Sequence, residues 1–195
     1  RHHIFFILII NSTMEGPNIR KKIGILGGTF DPPTVSHLQV ASEILNNHEI
    51  DEVQVVPCGI REDKAVATSG EHRLEMVRLA IRDMFLPEFP VRVNDIEIQN
   101  VITIPTYFLM KRLEKENPHN DYYFIMGTDL VGTVREWHEG DKLLEEVKFI
   151  IINRHMLNTP PNSTPFSSIP SPLSYLDGNK QYGPDEKKNR DWPKQ

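Results

Sequence analysis

Gly27-Gly28-Thr29-Phe30-Asp31-Pro32-Pro33-Thr34-Val35-Ser36-His37 is the most informative segment of this chain. It follows an apolar run at residues 23–26 that is typical of a buried strand, and it precedes residues 38–45, whose apolar side chains recur at helical spacing. Adjacent glycines let the backbone approach a ligand closely, because no Cβ stands in the way. The start of the following helix presents unpaired N–H groups, which suit a phosphate. The stretch therefore predicts a strand–turn–helix unit that binds a nucleotide triphosphate.

Two side chains in this stretch are candidates for the chemistry. Thr34 precedes the predicted helix and can cap it, and His37 lies in its first turn, close to the glycines. A Gly-Gly turn between a strand and a helix is common, and a histidine in a first helical turn is more often a surface residue than a catalytic one. The complete stretch is more specific than either feature alone.

The complete stretch resembles the signature of the nucleotidyltransferase superfamily with the (H/T)-x-G-H motif, written there as G-G-(S/T)-F-D-P-x-(H/T)-x-G-H. Thr34 and His37 occupy the two motif positions, and Ser36 replaces the usual glycine. The resemblance implies that His37 and Thr34 are the catalytic residues. It also implies that ATP is held by the glycine-rich turn, that is, by Gly27, Gly28, Thr29 and Phe30.

Four further segments narrow the resemblance to the nicotinate or nicotinamide mononucleotide adenylyltransferases. They are residues 57–64, 72–76 and 105–107, and a block over residues 124–154 that contains Gly127-Thr128-Asp129 and Trp137. Together the matching segments span about residues 22–154. The resemblance implies that Gly127 and Asp129 contribute to ATP binding. It also implies that the pyridine mononucleotide is bound by Lys64, Thr106, Tyr107 and Trp137.

Each of these residues also has a purely structural interpretation. Lys64 can be a solvated loop lysine, Asp129 can be a helix N-cap, and Trp137 can be a packing residue. Thr106 and Tyr107 can simply start a helix. A flat aromatic side chain in a pocket loop is, however, what stacking on a pyridine requires.

The remaining histidines and one arginine are assigned no chemistry. His72 and Arg73 are interpreted as structural, and His119 and His138 as surface residues. No metal site of the Cys/His type can be built from Cys58 and scattered histidines. The metal that the resemblance implies is Mg²⁺, which comes with ATP as the substrate.

The reaction that the resemblance implies joins ATP to a pyridine mononucleotide. The 5′-phosphate of the mononucleotide attacks the α-phosphorus of ATP and pyrophosphate leaves, so catalysis is mainly positioning and charge stabilisation. One alternative is another adenylyl- or cytidylyltransferase of the same fold, such as one acting on phosphopantetheine, but the Gly127-Thr128-Asp129 and Trp137 block argues against it. A second alternative is a nucleotide-binding protein with little activity.

Hydrophobic patterning predicts an α/β fold, a Rossmann-like doubly wound parallel five-stranded sheet, because strands alternate with helices. The predicted strands are residues 22–26, 52–56, 91–98, 122–126 and 147–152. The predicted helices are residues 34–46, 71–85, 106–116 and 142–146. Thr68 and Glu71 predict a capping box at the second helix. In such a sheet, ligands bind beyond the carboxyl ends of the strands.

Composition limits the partners and the compartment. The net charge of −5 argues against non-specific binding of nucleic acid. A single cysteine excludes an internal disulfide and indicates a reducing compartment, the cytoplasm, with the nucleus also compatible. The apolar run at residues 4–10 is too short for a membrane span of about 20 residues. We expect no nucleic-acid or membrane partner, and a homo-oligomer stays open.

The domain prediction has three parts. Residues 1–20 are expected to be a non-native or disordered leader, with translation naturally starting at Met14, and residues 21–155 form the nucleotidyltransferase domain. Residues 156–195 hold 7 of the 15 prolines and many serines, a composition that predicts disorder. The family's Ile-Ser-(S/T)-(S/T)-x-x-(R/K) segment is missing there, since prolines in residues 162–170 prevent the helix that it needs. We therefore expect weak ATP binding.

Overall fold

The computed structural model describes residues 20–47, 50–60, 66–100 and 103–152. Within these ranges the strands are β1 (Lys21–Gly28), β2 (Glu52–Pro57), β3 (Val91–Val93), β4 (Asn120–Gly127) and β5 (Lys148–Ile152). The helices are α1 (Val35–Asn46), α2 (Gly70–Met84), α3 (Ile96–Gln99), α4 (Thr106–Glu116), α5 (Thr128–Val131) and α6 (Gly140–Glu146), with a 3₁₀ turn at Val134–Glu136. The predicted leader before residue 20, the predicted tail and Lys64 lie outside the described residues, so those predictions stay predictions.

The five strands form one parallel sheet in the order β3-β2-β1-β4-β5. From the central strand β1 the chain winds outward to β2 and β3, and it then crosses to the other side to form β4 and β5. This topology confirms the predicted doubly wound sheet. The direction of winding reverses between β1 and β4, and ligands of such folds bind in the crevice outside the carboxyl ends of the strands at that point.

The hydrophobic core consists of two clusters, one on each face of the sheet. Along β4, Phe124 belongs to one cluster and its neighbour Ile125 to the other, as the alternation of side chains along a strand requires. The first cluster includes Leu109 of α4 and Leu143 of α6. The second includes Ala41 of α1 and is completed by Val77 of α2. Helices therefore cover both faces, which leaves the strand ends as the accessible part of the sheet.

The predicted strand at residues 91–98 is wrong in its second half. The backbone N–H of Asn94, just after β3, donates a hydrogen bond to the carbonyl of Val55 in β2 (2.9 Å). Its side-chain Oδ1 then accepts a hydrogen bond from the N–H of Ile96 (3.0 Å), which turns the chain into the short helix α3. The hydrophobic pattern of residues 91–98 suggested a strand, but the local turn at Asn94 decides the conformation.

The predicted capping box before α2 is also wrong. The N-cap of α2 is Ser69, whose hydroxyl oxygen accepts a hydrogen bond from the N–H of His72 (3.3 Å). The carbonyl of Thr68 instead accepts a hydrogen bond from the side chain of Arg73.

The short elements α3, α5 and the 3₁₀ turn were not predicted, because three or four residues carry no helical periodicity. Among the described helices, none is long and apolar enough to cross a membrane.

Candidate active site

A cavity of about 570 Å³ opens at the carboxyl ends of β1 and β4, at the point where the winding of the sheet reverses. This volume is in the range of small-molecule sites, roughly 300–1,000 Å³. Five of the predicted site residues line it, namely Gly27, Gly28, Thr34, His37 and Gly127. The other lining residues are Leu26, Ser36, Gln39, Val40, Phe124, Ile125, Met126, Leu130 and Ile152. The glycine-rich turn and the start of α1 therefore face the same space as the end of β4.

The turn after β1 is shaped by the packing of Phe30 beneath Gly28. Phe30 is only 3% exposed and has a φ of 50°, in the left-handed region that side chains other than glycine rarely adopt. A Cβ built on Gly28 would lie 3.0 Å from Cζ of the Phe30 ring, closer than ordinary van der Waals contact. The absence of a side chain at residue 28 is therefore what lets the Phe30 ring fold under the turn.

His37 is held in one orientation by Thr34 and Phe30. The backbone N–H of Thr34 donates to Nδ1 of His37 (3.0 Å), and the hydroxyl oxygen of Thr34 lies 2.8 Å from the same nitrogen. Because a backbone N–H can only donate, Nδ1 is an acceptor, and the neutral ring carries its proton on Nε2. The Phe30 ring meets the His37 ring edge-on, with centroids 5.1 Å apart and an interplanar angle of 79°. The imidazole is thus fixed as an Nε2–H donor next to the cavity.

The predicted ATP-binding residues at the end of β4 start the short helix α5. Gly127 is the N-cap of that helix, in extended conformation, and it lines the cavity. Asp129 lies in the first turn, next to the cavity-lining Leu130. The alternative interpretation of Asp129 as the N-cap is therefore wrong, because Gly127 occupies that position. A carboxylate in a first helical turn is favourable toward the helix dipole.

Tyr107, one of the residues predicted to bind the mononucleotide, lies in the first turn of α4, directly after Thr106. Its hydroxyl donates a hydrogen bond to Oε2 of Glu146 in α6 (3.1 Å), and Nζ of Lys111 lies 3.0 Å from the same oxygen. The hydrogen bond from Lys111 lowers the pKa of Glu146. Desolvation and the hydrogen bond to Glu146 raise the pKa of Tyr107. Tyr107 is thus kept as a protonated donor toward an ionised carboxylate.

Trp137 packs behind the wall of the cavity. Its indole N–H donates to the hydroxyl oxygen of Thr133 (3.3 Å), and its ring meets that of Phe124 edge-on, with centroids 6.2 Å apart. Phe124 lines the cavity itself. Trp137 and Tyr107 pack against the same core cluster, so the structure brings both to one side of the sheet. Their contact with a mononucleotide stays a prediction.

Arg73 connects the loops at the strand ends, a role that its structural interpretation from the sequence did not specify. It is 1% exposed, and its guanidinium donates to the carbonyls of Thr29 (2.7 Å), Cys58 (2.7 Å), Gly59 (3.3 Å) and Thr68 (3.3 Å). A signal for this burial was present in the sequence. Arg73 stands four residues before Val77, on the apolar face of α2.

Glu97 is a second buried charged residue, and no role was predicted for it from the sequence. It is 5% exposed, and its Oε2 accepts hydrogen bonds from the N–H groups of Gly59 (3.1 Å) and Ile104 (3.4 Å). If residues 91–98 formed a strand, Glu97 would have lain on the face opposite to its neighbours Ile96 and Ile98. The wrong strand prediction therefore hid its burial.

The comparisons with known proteins agree with this fold. A model of the family described as "Cytidylyltransferase-like" matches residues 25–170. Relatives that carry the name "probable nicotinate-nucleotide adenylyltransferase" include proteins from Oceanobacillus iheyensis and Lactococcus lactis. The one from Oceanobacillus iheyensis is 38% identical over 135 residues, which cover 69% of each chain. The one from Lactococcus lactis is 34% identical over 160 residues, which cover 81% of this chain and 76% of the relative.

A solved structure extends the likeness to three dimensions. The Plasmodium falciparum nicotinic acid mononucleotide adenylyltransferase complexed with NaAD has a TM-score of 0.63 and 35% identity, covering 72% of this chain and 68% of that one. The same enzyme complexed with APC has a TM-score of 0.60 and 33% identity, with the same two coverages of 72% and 68%. The cavity at the reversal of the sheet, the glycine turn and the relatives together show that this chain belongs to the cytidylyltransferase-like family and, within it, to the nicotinate-nucleotide adenylyltransferases.

Proposed function

We propose that this protein transfers the adenylyl group of ATP to nicotinate mononucleotide and releases pyrophosphate, a reaction of NAD biosynthesis. The observation that carries the proposal is the convergence of the glycine turn and His37 on one cavity at the carboxyl ends of β1 and β4. The preference for nicotinate over nicotinamide is supported by the names of the relatives and by NaAD in the Plasmodium structure.

The chemistry that we propose is an in-line displacement at the α-phosphorus of ATP. The phosphate of the mononucleotide is already ionised near neutral pH, so the attacking oxygen needs no general base. Backbone N–H groups around Gly28 and Thr29, together with Nε2–H of His37, donate to phosphate oxygens. Donors that are fixed before the reaction stabilise the charge that develops in the transition state. The hydrogen bonds from Thr34 to Nδ1 keep the imidazole in the donor tautomer throughout.

A divalent cation, proposed to be Mg²⁺, fits this site as a companion of ATP. Within residues 20–47, 50–60, 66–100 and 103–152, no three side chains of His, Cys, Asp or Glu come together to hold a metal ion. Mg²⁺ is commonly bound through one or two carboxylates and substrate phosphates. Bound in that way, it would withdraw charge from the phosphates. Asp129, next to the cavity-lining Leu130, is an acidic candidate for a protein ligand or for a contact to the adenosine.

The mononucleotide is proposed to lie on the side of α4 and Trp137. The segment leading into α4 supplies Thr106 and Tyr107, and Trp137 supplies an aromatic face for the pyridine ring. Lys64, in the loop after β2, is proposed to meet the phosphate of the mononucleotide. These roles follow from the family resemblance and, for Tyr107 and Trp137, also from their packing against the same core cluster.

The location and assembly of the protein also stay predictions. We propose the cytoplasm, a reducing compartment, in which Cys58 stays a free thiol. The assembly expected from the sequence is a monomer or a homo-oligomer.

The decisive experiment measures pyrophosphate release from ATP with one acceptor at a time. The acceptors are nicotinate mononucleotide, nicotinamide mononucleotide and phosphopantetheine, each with Mg²⁺ present. We expect the highest kcat/KM with nicotinate mononucleotide and formation of NaAD. Equal or faster turnover with phosphopantetheine would contradict the proposed acceptor, and binding of ATP with no turnover on any acceptor would favour a nucleotide-binding protein instead.

A further inference from the structure

Two buried charged side chains hold the backbone of one residue, Gly59, from both sides. Nη2 of Arg73 donates to the carbonyl of Gly59 (3.3 Å), and the N–H of Gly59 donates to Oε2 of Glu97 (3.1 Å). Charged groups are costly to bury unless hydrogen bonds satisfy them. Both side chains are at least nine-tenths buried, and in both cases the described partners are mainly backbone groups of loops. The backbone of the loop after β2 is therefore fixed at Gly59 by hydrogen bonds with both charged side chains.

From Gly59 the contacts continue toward the phosphate side of the site. Nη1 of Arg73 donates to the carbonyl of Thr29 (2.7 Å), which belongs to the glycine-rich turn. The carbonyl of Gly28 also accepts a hydrogen bond from the N–H of Cys58 (2.8 Å). A displacement of the loop after β2 would therefore move the turn that faces the cavity.

The contacts also continue from Gly59 toward the pyridine side. Oε2 of Glu97 accepts a hydrogen bond from the N–H of Ile104 (3.4 Å), just before the start of α4. The carbonyl of Ile60 accepts a hydrogen bond from the N–H of Thr103 (3.1 Å). The segment that leads into Thr106 and Tyr107 is thus tied to the same loop after β2.

We propose that Arg73 and Glu97 are positioning residues that couple the ATP side of the site to the mononucleotide side through the backbone of Gly59. The inference rests on the proposed function, which assigns the two substrates to these two loops. Arg73 is suited to the role because its planar guanidinium directs several donors at fixed angles, whereas an ammonium group is a compact point charge. Neither residue needs to touch a substrate. Each sets the position of backbone that does.

The test compares Arg73→Lys, Glu97→Gln and the double variant with wild type in the full chain. Titration calorimetry gives the Kd for a non-hydrolysable ATP analogue and, separately, the Kd for nicotinate mononucleotide. We expect each single variant to raise the Kd of both ligands by roughly threefold to tenfold. This includes the ligand bound by the loop that the mutated side chain does not contact. In the double variant, the Kd of each ligand should rise by a smaller factor than the product of the factors for the two single variants.

The controls are Arg78→Lys and Glu75→Gln, which make the same chemical changes at exposed positions of α2. We expect both to leave the two Kd values unchanged. A merely structural role predicts a lower Tm with unaltered Kd values below the transition. The Glu97→Gln variant keeps the size of the side chain and one acceptor oxygen, so its effect on the ATP analogue can be measured even where Arg73→Lys prevents folding.

Two results would overturn the inference. One is an effect of each variant on its adjacent ligand only, with multiplicative effects in the double variant. The other is a lower Tm in the variants with both Kd values unchanged. If the wild-type protein binds both ligands but releases no pyrophosphate, only the proposed function is contradicted. If the wild-type protein binds neither ligand, both the proposed function and this inference are contradicted.

Discussion

The two sides of the candidate site, which we propose to bind the phosphates and the pyridine ring, are built in different ways. The proposed phosphate side comes mainly from one continuous stretch, residues 27–37, in which Phe30 packs beneath Gly28 and, with Thr34, orients His37. The pyridine side is assembled from α4, Trp137 and Glu146, which meet only in the folded chain. A site made of one stretch can be recognised from a motif. A site made of distant segments depends on the packing between them.

Replacing His37 by Ala tests the phosphate side and should have the largest effect. Loss of one charge-stabilising donor is expected to lower kcat by about 10²–10³. Tm should change little, because the imidazole packs at the edge of the cavity. The measurement is steady-state pyrophosphate release with ATP and nicotinate mononucleotide. The control is His119→Ala, at an exposed turn position before β4. More than half of the wild-type rate in His37→Ala would remove this residue from the mechanism.

Replacing Gly28 by Ala should have the next largest effect. The new Cβ would lie 3.0–3.3 Å from three atoms of the buried Phe30 ring, which has little room to move and also orients His37. Overpacking of this kind costs about 1–3 kcal/mol of stability. A displaced histidine can cost up to about 10²-fold in kcat. Urea denaturation and kcat measure the two effects.

The matched control for this change is Gly132→Ala. Gly132 has helical φ and ψ, and a Cβ there would meet nothing within 4 Å. We expect Gly132→Ala to keep full activity and to gain slightly in stability, since alanine restricts the unfolded chain. Equal losses in both variants would mean that the contact with Phe30 is not the cause.

Replacing Trp137 by Ala tests the pyridine side. Loss of stacking on the pyridine ring should raise the KM for the mononucleotide by roughly tenfold, as for an aromatic that stacks on a base, and the KM for ATP should change much less. Trp137→Phe keeps an aromatic face and should recover most of the affinity. Similar increases in both KM values would instead assign Trp137 to packing against Phe124.

Replacing Glu146 by Gln should have the smallest effect. The hydrogen bond from Lys111 lowers the pKa of Glu146, so the stabilisation by this group is present above the unfolded pKa and is lost as the pH falls through the folded pKa. The Tm difference from wild type should therefore be constant from neutral pH down to about 5 and disappear in acid, below an ordinary carboxyl pKa of about 4.3. The KM for the mononucleotide should change by no more than roughly twofold, because the group is exposed.

The exposed neighbour Glu145 provides the control, as Glu145→Gln. A tenfold or greater change in the KM for the mononucleotide in Glu146→Gln would contradict this expectation. It would show that the Tyr107–Glu146 hydrogen bond is needed to position the groups on the pyridine side.

The parts of the fold that were predicted correctly are those with long, regular patterns. The helix at Thr106–Glu116 was predicted residue for residue, because Asn117-Pro118 ends its apolar periodicity. The five strands and their parallel arrangement were also predicted, since near-continuous apolar runs alternate with helices. The second half of the strand at residues 91–98 failed because a side-chain hydrogen bond of Asn94 outweighs the pattern.

The sequence indicated cavity-lining residues where they belong to one local motif, and it missed buried side chains whose contacts lie far apart in the sequence. The residues from Gly27 to His37 belong to one motif, and five of them line the cavity, namely Gly27, Gly28, Thr34, Ser36 and His37. Arg73 and Glu97, which we propose as positioning residues, form hydrogen bonds with the backbone of loops distant in sequence, such as Thr29 and Ile104. No spacing in the sequence encodes such bonds, so only the folded chain reveals them.

The short strand β3 also bears on how the protein avoids association through its sheet. An edge strand exposes unpaired N–H and C=O groups to which a strand of another molecule can add. β3 lies at one edge and spans only Val91–Val93, because Asn94 turns the chain into α3. Three residues offer too short a ladder for stable pairing, so the turn that ends β3 also protects this edge against strand-by-strand aggregation.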